Sequence, residues 1–207
     1  MIGAELTLVL IAWAVAAGSP GPATLAIAGT SMNRGRQAGL GIAFGITCGS
    51  AAWGMAATLG LSAIMTANAW MFEVLRYVGA GYLLYLAIKA MRSALSQKPL
   101  MPLVGDDAPV RRQFVKGLLI HLTNPKAVLG WGAGFTLVAP KDGGFAALLE
   151  AYGVLLAVSA CVFLGYAVLF STAGFARAYT RARRWFEGTF AVMFGYAGLK
   201  ILTAKLT

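Results

Sequence analysis

The sequence predicts an all-α integral membrane protein with six transmembrane helices, arranged as two inverted three-helix repeats in which helices 1 and 4 are interrupted by proline. Three observations support this prediction. Of the 207 residues, 59% are hydrophobic and 12% are charged, a composition that does not describe a soluble core. Several uncharged apolar runs are longer than the roughly 18 residues that indicate a membrane span. Matched irregularities recur in the two halves of the chain.

Polar or proline-rich breaks divide the chain into six predicted spans. In chain order the spans cover residues 5–30, 38–63, 69–91, 114–138, 145–171 and 186–204. The first span could be mistaken for a signal peptide, because the small residues Ala14, Ala16 and Ala17 resemble a cleavage site. However, no Lys or Arg precedes Arg34, and a signal peptide begins with a basic segment. A span is therefore expected here, with cleavage as the alternative.

A long polar connection joins the two halves. It contains Pro99, Pro102, Pro109 and the acidic pair Asp106-Asp107, so we expect an exposed linker. The sequence therefore predicts a single membrane domain. Its parts are a first repeat over residues 1–95, a cytoplasmic linker over 96–113 and a second repeat over 114–207.

Basic residues lie mainly on one side of the predicted membrane. The first, third and fifth loops hold Arg34 and Arg36, then Arg92, Lys98, Arg111, Arg112 and Lys116, and finally Arg177, Arg181, Arg183 and Arg184. The positive-inside rule places these loops in the cytoplasm and both termini outside. The formal net charge of +10 could suggest nucleic-acid binding, but such binding needs a basic stripe on one folded face. No nucleic-acid partner is expected.

Irregular features occur in pairs that suggest an inverted repeat. Proline interrupts the first span of each half, at Ser19-Pro20-Gly21-Pro22 and at Asn124-Pro125-Lys126. The second spans contain Cys48 and Cys161, and the third spans each have a short uncharged centre. Three pairs in register favour a repeat. The alternative is that prolines and small residues are simply tolerated in membrane helices.

The two proline breaks predict a polar site near the middle of the membrane. Proline removes a backbone donor and clashes with the preceding turn, so each span should split into half-helices. The N-terminus of a half-helix presents free N–H groups and a positive dipole end, which suit a carboxylate. The expected binding residues are Pro20, Gly21, Pro22, Asn124, Pro125 and Lys126. A plain kink used for packing is the alternative.

Lys126 lies near the centre of the fourth span, where an ionisable side chain indicates a functional site. No Asp or Glu is predicted at the same depth, because Glu73, Glu150 and Glu187 lie near the ends of their spans. The expected partners of Lys126 are therefore backbone carbonyls freed by the breaks, or the carboxylate of a bound molecule. Snorkelling of the side chain to an interface is the alternative.

Three glycines and four larger side chains complete the set of candidates. The glycines Gly41, Gly45 and Gly49 recur every four residues, so they share one helix face and allow another helix to approach closely. The larger candidates for lining a cavity are His121, Tyr82, Tyr85 and Trp131. His121, the only histidine, could also carry protons. Packing roles for the aromatic residues, and a histidine that is hydrogen-bonded within the bundle, are the alternatives.

Three stretches that together cover much of the chain resemble a known family. They are SPGPATLAIAGTSMNRGRQAGLGIAFGITCGSAAWGMAATLGL, GAGYLLYLAIKAMR and FVKGLLIHLTNPKAVLGW. They resemble the LysE/RhtB family of amino-acid exporters, and the combination of PGP and NPK elements is specific. The resemblance implies efflux of amino acids or close derivatives from the bacterial inner membrane, usually driven by the proton gradient. Both termini would then be periplasmic, and the partners would be an amino acid, protons and lipid, with no cofactor.

The resulting hypothesis is a secondary transporter, not an enzyme, that exports small neutral amino acids similar to homoserine or threonine. Neither the exact substrate nor homo-oligomer formation is fixed by the sequence. The alternative is a membrane thiol–disulfide electron carrier using Cys48 and Cys161, although neither cysteine lies in a CxxC motif. One histidine and two separated cysteines cannot supply the ligands of a divalent metal, and no GxxxxGK[ST] motif indicates ATP use. A structural subunit has no supporting feature beyond packing glycines.

Overall fold

A computed structural model describes residues 3–67, 69–96, 109–138 and 144–203. Within these ranges all regular secondary structure is α-helical, as the sequence predicts. The helices in chain order are α1 (Gly3–Gly18), α2 (Pro22–Ala67), α3 (Ala69–Leu95), α4 (Val110–Leu122), α5 (Pro125–Val138), α6 (Phe145–Phe170) and α7 (Ala173–Thr203). Much of the region assigned to a linker lies outside the described residues, but α4 already begins at Val110.

Two short non-helical segments divide predicted spans into separate helices. One lies between Gly18 and Pro22, and the other lies between Leu122 and Pro125. In both cases the following helix begins with proline. Proline is suited to the first helical position, because its fixed φ angle fits the helix and its missing N–H would have no intrahelical partner there. The sequence therefore ends one helix and starts the next at each of these two places.

Gly35 replaces the longer loop that the sequence predicts over residues 31–37. Helical residues continue on both sides of Gly35, which alone has non-helical angles, with φ 77° and ψ −174°. Positive φ values are strained for residues with a Cβ atom but not for glycine. The predicted loop was too long because Asn33, Arg34 and Arg36 are unsuited to lipid, whereas helix formation does not require apolar side chains.

The last helix also starts earlier than predicted. Instead of beginning at residue 186, α7 begins at Ala173, immediately after the turn at Ser171 and Thr172. The arginine-rich stretch 173–185 was assigned to a loop because it is too charged for a membrane interior, yet alanine and arginine are both strong helix formers. At 1.5 Å per residue, the 31 residues of α7 extend about 46 Å, which exceeds the roughly 30 Å hydrocarbon core of a bilayer.

The helices pack around α2, which contacts both α4 and α6, while α3 packs along α7. The glycine stripe Gly41, Gly45 and Gly49 forms the α2 side of the contact with α4. An added Cβ at Gly45 would collide with the Phe114 carbonyl, and one at Gly49 would lie 2.8 Å from the Cβ of His121. The prediction that these glycines admit a neighbouring helix is confirmed, and that helix is α4.

Apolar clusters fill the spaces between the helices. One cluster joins Ala80, Leu83 and Leu86 of α3 to Phe194 of α7, and another joins Ile27 and Ile42 of α2 to Phe163 of α6. Among the described residues, two helical stretches are long and apolar enough to cross a membrane by length and composition, namely Pro22–Gly60 and Phe145–Phe170. Leu6–Gly18 is a shorter apolar helix. The helical, apolar architecture is that of a membrane protein.

Candidate functional site

A cavity of about 90 Å³ lies beside the two helix breaks. Its apolar walls come mainly from alanine, glycine and aromatic residues of α1, α2, α5, α6 and α7, together with Leu83 and Leu86 of α3. Polar side chains are few, and they are Thr24, Ser50, His121, Asn124, Lys126 and Ser159. Since about 10–15 Å³ is enough for one water molecule, the cavity can hold a small solute. A mostly apolar pocket with a few convergent polar groups is the usual form of a small-molecule site.

Lys126 connects the second break to the first. Its side chain is partly buried, and its Nζ atom donates a hydrogen bond to the backbone carbonyl of Ser19 at 2.7 Å and a second, short one to the Ser19 hydroxyl. The Ser19 hydroxyl in turn donates to the carbonyl of Ala16 at 2.9 Å. A backbone carbonyl freed by a break was one of the two partners expected for Lys126. The cation therefore sits against the open C-terminal end of α1.

Side chains satisfy the other backbone groups of the first break. The Tyr166 hydroxyl donates to the carbonyl of Gly18 at 2.6 Å. The Thr24 hydroxyl donates to the carbonyl of Ser19 at 3.1 Å and accepts from the N–H of Gly21 at 2.9 Å. An unpaired carbonyl in an apolar interior is costly. The break is thus stabilised by residues from α2, α5 and α6, which hold its backbone in a defined shape.

Asn124 organises the second break. Its side chain is 5% exposed, and its Oδ1 atom accepts a hydrogen bond from the backbone N–H of Lys126 at 3.1 Å. Its carbonyl accepts from the N–H of Ala127 at 2.9 Å. Asparagine is among the preferred residues for capping a helix N-terminus in this way. Asn124 therefore starts α5 and fixes the backbone from which the Lys126 side chain extends.

Two tryptophans form an aromatic wall of the cavity. The rings of Trp13 and Trp131 meet edge to face, with their centroids 4.9 Å apart. The indole N–H of Trp13 donates to the Ser159 hydroxyl at 2.9 Å and to the carbonyl of Leu155 at 2.8 Å. The indole N–H of Trp131 donates to the Ser50 hydroxyl at 3.1 Å. These hydrogen bonds attach α1 to α6 and α5 to α2, so the wall has a fixed orientation.

Two buried ionisable side chains lie near this arrangement. His121 is 4% exposed, its ring lies 5.6 Å from that of Phe163, and its Nδ1 atom has no hydrogen-bond partner among the described residues. Glu187 of α7 is 2% exposed and accepts a hydrogen bond from the Ser93 hydroxyl at 2.9 Å. Glu187 is not among the residues that line the cavity. Sequence reasoning placed it near a span end and missed its burial.

The structure brings part of the predicted set together. The members that line the cavity are Gly21, Asn124, Lys126, His121 and Trp131. Pro20 and Pro22 flank it but are not among its lining residues, and Tyr85 is 55% exposed on α3. The side chains of Pro125 and Tyr82 lie outside the described part of the chain. Proline thus shapes the backbone around the cavity, while other side chains form its surface.

Sequence reasoning did not select several residues that shape the site, namely Trp13, Ser19, Thr24, Ser50, Ser159 and Tyr166. Ser19 and Thr24 carried a usable signal, because a hydroxyl beside a predicted break can bond the backbone groups that the break frees. Ser50, Ser159 and Tyr166 lie far from the breaks in the sequence, and no local pattern indicates that they or Trp13 take part in the site.

The cysteines do not form a paired centre. Cys48 of α2 is partly exposed, Cys161 of α6 is exposed, and both are free thiols. The described ranges contain no group of three or more His, Cys, Asp or Glu side chains that could hold a metal ion. The thiol–disulfide alternative is therefore not supported.

Comparisons with known proteins agree on one family. Residues 14–205 match the family model described as LysE type translocator. The chain is 30% identical over 194 residues to the threonine efflux protein of Escherichia coli (strain K12), covering 92% of this chain and 94% of that protein. It is 33% identical over 128 residues to the leucine efflux protein of Salmonella choleraesuis (strain SC-B67), covering 60% of each. No solved structure matches significantly.

Proposed function

The chain belongs to the LysE type translocator family, and from this membership we propose that it exports small neutral amino acids across the bacterial inner membrane. It is a transporter and not an enzyme. Its relatives include a threonine efflux protein, similar over almost the full length of both chains, and a leucine efflux protein that is similar over part of its length. Threonine-like or small aliphatic amino acids, including homoserine, are the proposed substrates.

One observation supports the site most strongly, namely the Lys126 ammonium held at the junction of the two helix breaks. An amino acid is a zwitterion, so a site of low polarity must supply a positive partner for its carboxylate and acceptors for its ammonium group. Lys126 and the N-terminus of α5 are the proposed partners of the carboxylate. The carbonyls around Pro20 and Gly21 are the proposed partners of the ammonium group.

The cavity lining favours a neutral substrate. A lysine or arginine substrate carries an additional positive charge, which would need a carboxylate in the site. Among the described lining residues there is no Asp or Glu, and the buried carboxylate of Glu187, although near the site, does not line the cavity and accepts a hydrogen bond from Ser93. The walls near Trp13 and Trp131 are instead apolar and suit a small uncharged side chain.

Exchange with protons is the proposed energy source. The family resemblance implies it, and His121 and Lys126 are titratable side chains that line the cavity. His121 is the proposed proton carrier, because it is buried beside the site and its Nδ1 atom has no hydrogen-bond partner in the described part of the chain.

Two inverted repeats of three spans remain the proposed architecture. In this arrangement the first span is α1 with α2 up to Gly35, the second is the rest of α2, and the fourth combines α4 and α5. The matched breaks before Pro22 and Pro125 support it, as does the packing of α3, the third span, against α7, the sixth.

Both termini are proposed to face the periplasm, as the distribution of basic residues indicates. Cysteines introduced singly by Ser96→Cys and Gly144→Cys, in a chain lacking Cys48 and Cys161, test this orientation. A membrane-impermeant thiol reagent should label the Gly144→Cys chain in intact cells, and the Ser96→Cys chain only in inside-out vesicles. The opposite pattern would contradict the orientation.

Transport in inside-out membrane vesicles tests the function. Vesicles containing the protein should accumulate labelled threonine, homoserine or leucine faster than vesicles without it, and an imposed pH gradient of the correct sign should increase the rate. Lysine should be accumulated much more slowly. Faster uptake of lysine than of threonine would contradict the proposed substrate class, and insensitivity to the pH gradient would contradict proton coupling.

A further inference from the structure

We propose that the carbonyl and hydroxyl of Ser19 form the subsite for the substrate α-ammonium group, and that the Lys126 ammonium occupies this subsite when no substrate is bound. This inference rests on the proposed amino-acid export and adds a mechanism to it. Lys126 would then have two alternating partners. They are Ser19 in the empty transporter and the substrate carboxylate in the loaded one.

The hydrogen bonds at Ser19 make the two cations mutually exclusive. A carbonyl oxygen has two lone pairs. The Ser19 carbonyl accepts from Lys126 Nζ at 2.7 Å and from the Thr24 hydroxyl at 3.1 Å, although the single Thr24 proton also faces the Gly21 carbonyl at 3.3 Å. The Ser19 hydroxyl also accepts from Lys126 while donating to the Ala16 carbonyl. A second ammonium group at these oxygens would lie beside the Lys126 ammonium, and like charges in a buried site repel each other, so it binds Ser19 only after Lys126 has moved away.

A zwitterion allows this exchange without leaving a buried charge unpaired. Its carboxylate accepts Lys126 as its ammonium group replaces Lys126 at Ser19, so each cation keeps an acceptor. A simple amine offers Lys126 no new partner, and an uncompensated buried charge is strongly unfavourable. A simple carboxylate could attract Lys126 but would leave the Ser19 acceptors empty. The exchange thus selects molecules that carry both groups, and the departure of substrate returns Lys126 to Ser19.

Gly21 provides the space for this movement. A Cβ atom at Gly21 would lie 3.4 Å from Cδ and 3.5 Å from Nζ of Lys126, so the lysine side chain runs directly over this glycine. Larger side chains at Gly21 would press on Lys126 and limit its positions. A Cβ atom alone would make ordinary contact with Lys126, so it is bulkier side chains at Gly21 that would restrict the lysine.

Binding of n-propylammonium to the full-length protein in lipid nanodiscs tests the subsite. This cation has the same heavy atoms as the part of the side chain that Lys126→Ala removes. Propylammonium should raise the thermal unfolding midpoint of the Lys126→Ala variant saturably, by about 5 °C. The wild type and the matched variant Lys116→Ala, which keep Lys126, should show no saturable rise. Adding Ser19→Ala to Lys126→Ala should weaken propylammonium binding about 5-fold, because one acceptor is lost.

The outcomes separate this inference from the proposed function. Equal shifts in the wild type and Lys126→Ala, or no shift in a cooperatively unfolding Lys126→Ala variant, would overturn the subsite. If Lys126→Ala does not fold, the test uses the Lys126→Met variant with the ammonium ion as the probe cation. The methionine side chain keeps the carbon-chain length of lysine but lacks its terminal nitrogen. Threonine transport by the wild type without cation binding by these variants would reject the exchange alone. Cation binding without any amino-acid transport would reject the function and keep the ammonium site.

Discussion

Alanine substitutions at three glycines of α2, two from the glycine stripe and one outside it, should affect stability in a graded order. At Gly60 an added Cβ meets nothing within 4 Å, at Gly49 it lies 2.8 Å from the Cβ of His121, and at Gly45 it collides with the Phe114 carbonyl. All three residues are on α2, so helix propensity changes equally in each variant. The loss of stability should increase from Gly60→Ala through Gly49→Ala to Gly45→Ala.

The magnitude follows from the distances. Nonbonded carbon atoms are most stable about 3.5–4.0 Å apart, so the 2.8 Å approach at Gly49 requires α2 and α4 to separate by roughly 0.7 Å or more. Overpacking of this kind costs about 1–3 kcal/mol. At about 2–4 °C per kcal/mol for a chain of this size, Gly49→Ala should lower the unfolding midpoint by about 2–12 °C. Gly45→Ala should lower it further, because its Cβ would approach the Phe114 carbonyl oxygen more closely than the Cβ at Gly49 approaches His121, and neither contact atom can rotate away.

Thermal unfolding of the purified protein in one fixed lipid or detergent environment measures this order. Gly60→Ala is the matched control, and its midpoint should equal or exceed that of the wild type, because alanine favours a helix more than glycine does. A Gly45→Ala variant that unfolds at the same temperature as Gly60→Ala would show that the α2 and α4 contact is not as close as described.

Two further predictions concern the site, and a third concerns the cysteines. Lys126→Met should lower threonine export about 10- to 100-fold, through loss of a charged hydrogen bond to the substrate, without lowering the amount of protein in the membrane. Lys126→Arg should restore little export, because a planar guanidinium does not replace a compact ammonium. Normal export by Lys126→Met would contradict the proposed role of Lys126. Tyr166→Phe should cost about 1–3 kcal/mol by leaving the Gly18 carbonyl unpaired, measured as a lower unfolding midpoint, and an unchanged midpoint would mean that another group satisfies the carbonyl. The double substitution Cys48→Ala and Cys161→Ala should leave transport rates largely unchanged in vesicle assays, because free thiols in apolar helices behave as small hydrophobic groups. Complete loss of transport would contradict this purely structural role of the two thiols.

The helical fold could be predicted from the composition of the chain. Both ends of the third and fifth predicted spans lie within a few residues of the ends of α3 and α6, and the fourth span ends where α5 ends, because lipid solubility and helix formation coincide there. They do not coincide in the arginine-rich start of α7 or around Gly35, and there the prediction gave loops where the chain is helical. Hydropathy indicates what can enter lipid, whereas backbone geometry decides where a helix ends.

The contents of the candidate site were predictable only where a residue carried its own local signal. Lys126 is a charge inside an apolar run, and Asn124 precedes a proline, so each could be selected from the sequence. The contacts of Tyr166 with Gly18 and of Trp131 with Ser50 depend on how the helices are rotated against one another. Helix rotation is set by the sum of many weak packing contacts, which a single sequence does not display.

The hydrogen bonds of the first break also set an order for biosynthesis. Thr24 pairs the Ser19 carbonyl from nearby in the sequence, but the other partners are synthesised much later, since Lys126 follows Ser19 by 107 residues and Tyr166 follows Gly18 by 148. Backbone carbonyls without a hydrogen-bond partner are not tolerated in the hydrocarbon core of a membrane. A nascent chain that contains only α1 to α3 must therefore leave this break in contact with water or with the insertion machinery. The first half of the protein can be fully embedded in lipid only after α5 and α6 have been synthesised and have packed against it.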